Sequence, residues 1–82
     1  MTTIREAMTE HALSLFDAMV EERERETRSA LRAAGCPRAE IEAHVADCHA
    51  RLARERKLIP GNVTIELMKA GVQLREPAHV WH

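Results

Sequence analysis

From Thr2 to Ala34 the chain runs without a Gly or a Pro, and its apolar residues recur at helical rather than strand spacing. At 100° per residue, Ile4, Met8, Ala12, Leu15 and Met19 gather on one line. Leu13, Val20, Thr27 and Leu31 gather on a second line roughly 110° away, with Phe16 and Ala34 between the two. This predicts one long helix over residues ~3–34, about 45–50 Å at 1.5 Å per residue. Thr2 or Thr3 supplies a cap and Glu6 an acidic first turn; Gly35 followed by Cys36-Pro37 stops the helix. The stretch Glu21 to Arg28 (EERERETR) is polar throughout, which reads as a solvated surface held by internal Glu–Arg pairs.

A second helix is expected over residues ~37–57, with Pro37 at its first position, where a missing N–H costs nothing. Ile41, Val45, Cys48 and Leu52 make its apolar stripe. The short Gly35-Cys36 link implies an antiparallel helical hairpin. The expected packing sets Ile41, Val45, Cys48 and Leu52 against Leu15, Phe16 and Met19, and it brings Asp17, Glu21 and Glu22 near Arg51, Arg54 and Glu55. Ile59-Pro60-Gly61 reads as a break. Residues 62–75 then read as a short third helix, capped by Asn62 and ended by Gly71 with Val72 folded over Leu67. The rival is a β-hairpin, since Val63, Ile65 and Leu67 alternate with polar residues, as do Val72 and Leu74. Helix is preferred because an isolated two-stranded hairpin is marginal in water. Arg75–His82, with Pro77 and Trp81, is expected to be an irregular tail with Trp81 pinned to a surface.

Composition sharpens this picture. A chain of 82 residues with one Phe, one Trp and no Tyr is a single small domain, 1–82, whose core volume must come from aliphatic residues and Ala. Such a chain is short of buried area, so self-association is expected. Net charge is −1, which argues neither for nor against nucleic acid, but the charges are segregated. Residues 1–26 carry seven acidic and three basic groups; residues 27–57 carry seven basic and four acidic. No signal-peptide pattern and no apolar run of about 20 residues is present, so a cytoplasmic location is the default expectation.

Candidate chemistry is sparse. Cys36, His44, Cys48 and His49 are zinc-ligand types, but their spacing C-x7-H-x3-C-H splays them along and around a helix, so no metal and no cofactor are expected. Cys48 reads as a core residue on the apolar stripe, and Cys36 as a helix-start thiol without a Cys-x-x-Cys partner. Ser14, Ser29 and Asp17 sit on one helix with no pocket-forming loops, so no enzyme is expected. Arg51, Arg54, Arg56 and Lys57 form a basic cluster suited to phosphate contacts. Glu66 to Glu76 (ELMKAGVQLRE) resembles the opening of a helix-turn-helix unit, interrupted by Pro77.

The fold class expected is therefore all-α: a long first helix and a second helix in an antiparallel hairpin, then a short third helix or β-hairpin and the tail. The function expected is non-catalytic protein–protein interaction through exposed helix surfaces, as an adaptor, assembly factor or inhibitor of a larger machine, a group to which phage-encoded inhibitors belong. The alternative is a small nucleic-acid-binding regulator using Arg51, Arg54, Arg56 and Lys57. The interaction surface expected is the second seam: Leu13, Phe16, Val20, Arg23, Thr27 and Leu31. Positions 13, 20, 27 and 34 repeat every seven residues, which predicts a homodimer through this helix.

Overall fold

A computed structural model describes residues 2–72. Two helices account for nearly all of it: α1 (Ile4–Ala33) and α2 (Arg38–Lys69). Each end carries its own sequence signal. The Thr3 side chain accepts a hydrogen bond from the Glu6 N–H at 3.1 Å, satisfying one of the four N–H groups a helix start leaves over. At the other end Gly35 takes φ +81, the Cys36 N–H donates to the Leu31 carbonyl and the Gly35 N–H to the Arg32 carbonyl. That is the Schellman closure, and it requires a left-handed residue that only Gly adopts without strain. Pro37 lies one position earlier than expected. It is the N-cap of α2, extended at φ −61 and ψ 147, and its carbonyl accepts from the N–H groups of Glu40 and Ile41.

The larger departure is at Pro60. The expected break does not occur: α2 runs through Ile59-Pro60-Gly61 to Lys69, so residues 62–69 are helical but belong to α2 rather than to a third helix. The β-hairpin reading fails with it, as 63–69 lie within α2. Gly71, at φ +78, ends α2 as the motif demanded, with the Val72 N–H donating to the Leu67 carbonyl at 3.0 Å. Pro60 removes one ladder N–H and costs about 3 kcal/mol in a helix interior, and Gly61 adds about 1. Packing outweighs propensity. Ile59, Val63 and Leu67 continue the stripe of Ile41, Val45, Cys48 and Leu52 in phase, and all three are half-buried. Residues 73–75 and the Arg75–His82 tail, including Trp81, lie outside the described residues.

The helices are antiparallel. Arg56 on α2 forms a two-pronged bond to Asp17 on α1, Nε to Oδ1 at 2.9 Å and Nη2 to Oδ2 at 3.0 Å. Nearer the turn, His49 meets Glu24, and Arg28 meets Glu42. The core is thin: Ile41 and Val45 are the buried hydrophobic residues, at 4% and 5% exposure. Around them lies a half-buried seam of α1 comprising Leu13, Phe16, Val20, Thr27 and Leu31. The two seams of α1 have thus exchanged roles. Leu15 and Met19, expected to face α2, are 59% and 40% exposed.

The exchange has a geometric cause. A hairpin of 30- and 32-residue helices needs a stripe running the whole length of each. Thr9, Leu13, Phe16, Val20, Glu24, Thr27 and Leu31 keep i, i+3/i+4 spacing from end to end, and the one charge among them, Glu24, is matched by His49. The other seam stops at Met19, and its next two positions are Glu22 and Glu26.

Candidate functional site

The residues expected to meet a partner are mostly turned into the hairpin. Leu13, Phe16, Val20, Thr27 and Leu31 are half-buried on the face of α1 that α2 covers; Arg23 alone of that set is exposed. Val20, Thr27, Cys48 and Leu52 line an open groove between the helices, walled by the charged or polar side chains of Glu24 and His49. EERERETR does form its internal pairs, Arg25 with Glu22 and Arg28 with Glu24. Glu24 and Arg28 also bridge to α2, so this stretch is the polar part of the intrachain contact.

These bridges shape the acid–base behaviour. The Asp17 carboxyl is held below its ordinary range by the hydrogen bond from Arg56. Glu24 is lowered by its bonds from Arg28 and His49, and Glu42 by its bond from Arg28. Asp17 and Glu42 are exposed and Glu24 only half-buried, so each pair fixes register more than it adds stability.

The basic cluster does not make one patch. Arg51, Arg54 and Lys57 are exposed, whereas Arg56 is turned to α1 and neutralised by Asp17. Nor does the cluster lie at a helix C-terminus: α2 continues for twelve residues past Lys57, from 57 to 69, so the helix dipole does not account for these cations. Arg51 donates a long bond to the Cys48 sulfur, 3.6 Å.

Side chains of catalytic type stay dispersed. Ser14 and Ser29 are exposed, and no hydrogen bond joins either hydroxyl to a base among the described residues. His44 Nε2 lies 3.5 Å from Cys48 Sγ, as one helical turn dictates, but among the described residues no group of three or more His, Cys, Asp or Glu converges. Cys36 and Cys48 are both free and half-buried. No helix of the described residues is long and apolar enough to cross a membrane.

What the surface does concentrate is exposed apolar side chains. On α1 they are Ile4, Met8, Leu15 and Met19; on α2 they are Leu58, Ile65 and Met68, each between 40% and 64% exposed. All lie in the open half of the hairpin, away from the Gly35 turn. The α1 set comes from the seam read as the core-facing one. The α2 set escaped the sequence reading because that helix was ended at Lys57. Its signal was present in the seven-residue spacing of Arg51, Leu58 and Ile65. No protein family, curated protein or solved structure matches the chain.

Proposed function

We propose that the chain is a non-catalytic protein–protein interaction protein, acting as an adaptor, assembly factor or inhibitor, and that its working surface is the exposed apolar seam of the open half rather than the Leu13–Leu31 seam. The observation that carries this is the set of seven large aliphatic residues left in solvent by a 71-residue span with only two buried hydrophobic residues. Single exposed aliphatics are ordinary; four of them along one face of α1 and three along one face of α2 are more than a small hairpin usually leaves in solvent. Nucleic-acid binding through Arg51, Arg54 and Lys57 is the second reading, supported by the exposure of these three cations. It is weakened by the loss of Arg56 to Asp17.

A photo-crosslinking residue placed at Met8, and at Ser29 as a comparison position, separates the readings in cells. Discrete protein adducts from Met8 and none from Ser29 are expected. Equal labelling from both positions, or nucleic-acid adducts together with heparin retention that falls steeply with salt, would overturn the protein-contact reading.

A further inference from the structure

Resting on that reading and narrowing it to one face, we infer that the outer side of α2 between Arg51 and Met68 receives a helix of a partner protein, apolar along one half and acidic along the other. The inference begins with spacing. Arg51, Leu58 and Ile65 repeat every seven residues, and so do Arg54, Gly61 and Met68, three positions later. Interleaved, the six take the a and d positions of a coiled coil over three heptads, about 26 Å of α2. All six are exposed. At 100° per residue they share about 100° of arc, turned roughly 150° from the stripe of Ile41, Val45 and Leu52 that meets α1. A seam of this spacing is one that another helix packs into. Gly61 leaves a hole in it: a Cβ there would meet nothing within 4 Å, so a large side chain of the incoming helix has room between Leu58 and Ile65.

The chemistry changes along the seam. Its later half is aliphatic, with Leu58, Ile65 and Met68 at 62%, 50% and 64% exposure. Its earlier half is cationic: Arg51 and Arg54, with Lys57 on the flank, and none of the three meets a carboxylate among the described residues. Glu55 and Glu66 lie about 90–110° further round the helix, and Asp47 bounds the cationic stretch one turn before Arg51. Elsewhere the hairpin matches its cations, Arg56 with Asp17, Arg28 with Glu42 and Arg25 with Glu22. Unmatched cations in line with aliphatics complement a partner that is acidic at one end and apolar at the other. Rival surfaces fit less well. A helix lying on an anionic bilayer presents a continuous apolar face to the lipid and keeps its cations on the polar side, whereas Arg51 and Arg54 occupy the seam itself. A nucleic acid would use the cations and leave the three aliphatics in solvent, with no aromatic ring on this face for a base to stack on. The α1 of a second copy offers aliphatics followed by Glu22, but Arg25 already meets that carboxylate.

Synthetic three-heptad helices, followed by fluorescence anisotropy on the full chain, are the test. The probe carries Leu at the a and d positions of two heptads and Glu at those of the third, made with the Glu heptad at either end. The comparison peptide carries Lys in place of Glu. One Glu peptide should bind at least about tenfold more tightly than its Lys counterpart. Arg51→Glu combined with Arg54→Glu should reverse that preference, which a misfolded chain would not do. Ile65→Glu, its helices checked by circular dichroism, should weaken the Glu peptide at least about tenfold, and Ser29→Glu should change nothing. Glu peptides that bind no better than Lys peptides, or a preference that survives the double reversal, would overturn the inference. Phosphatidylserine vesicles or duplex DNA bound in place of the peptides, and released by the same reversal, would give the face to a lipid or a nucleic acid instead. A dimer in sedimentation equilibrium that Ile65→Glu dissolves would give it to a second copy. Failure of the peptides while Met8 still forms discrete protein adducts would end this inference and leave the broader interaction reading standing.

Discussion

Ile41 and Val45 are the two buried hydrophobic residues among the described ones, at 4% and 5% exposure, and the hairpin depends on them out of proportion to their number. Ile41→Ala should lose about 2–5 kcal/mol of unfolding free energy, read from urea denaturation by circular dichroism. Leu52, half-buried on the same stripe, should lose less on the same truncation. A loss at Leu52 equal to that at Ile41 would mean that the core reaches further from the turn than the exposures indicate. The seam exchange gives a second contrast. Val20→Glu places a charge between the helices and should reduce helicity and stability, whereas Leu15→Glu places one in solvent and should leave the hairpin folded. Most of the capping was legible from local chemistry, although Thr2 and Thr3 were both candidates and Pro37 proved to be the N-cap rather than the first helical residue. Thr3, Gly35, Gly71 and the Val72–Leu67 closure each answer to backbone groups within a few positions, so no knowledge of the rest of the chain was needed.

At the scale of the element, the stripe of Ile41, Val45, Cys48 and Leu52 was equally plain. What could not be read locally was where α2 ends. Pro60 and Gly61 are the strongest breakers in the chain, and a window of ten residues around them reads as a turn. The helix survives them because α1 begins at Ile4 and still offers an apolar seam opposite Ile59, Val63 and Leu67. Length matching between elements is a nonlocal fact: α1 is legible at full length over ~3–34, but nothing local to Pro60 says that α2 must match it. Pro60→Ala should therefore stabilise the hairpin by about 2–3 kcal/mol, and Gly61→Ala by about 0.5–1, its added Cβ entering open space. Destabilisation by Pro60→Ala in a denaturant titration would show that the chain needs the missing N–H. The bridges between elements predict acid sensitivity. Asp17, Glu24 and Glu42 have their affinity for protons lowered in the fold, so the unfolded chain binds more protons in acid. Their contribution is complete above the ordinary carboxylate range and is lost as pH falls below about 4. Asp17→Asn should make unfolding less steeply dependent on pH between about 5 and 3, by circular dichroism.

For the molecule as a whole, the choice between two apolar seams was the least legible feature. Both have helical spacing, and the one left outside carries the larger aliphatic side chains near the N-terminus. Only the continuity of Thr9 to Leu31 against a full-length α2 separates them. Turning that seam inward sets Leu13, Val20 and Thr27 against α2 and leaves Ile4, Met8, Leu15 and Met19 on α1 and Leu58, Ile65 and Met68 on α2 in solvent. A hairpin this thin, whose interior holds two buried aliphatics among the described residues, would gain stability by covering its exposed apolar stripes. If that cover is a second copy, as the short supply of buried area suggests, folding and association become one equilibrium whose midpoint follows mass action. The thermal midpoint should rise steadily between about 1 and 100 µM chain, since dimer formation stabilises only the folded hairpin. Leu15→Glu should flatten that dependence while keeping a cooperative, lower transition. Scanning calorimetry at several concentrations decides it. A wild-type midpoint that does not move over a hundredfold range would mean that each chain carries its full stability alone, with its exposed stripes covered by no second copy.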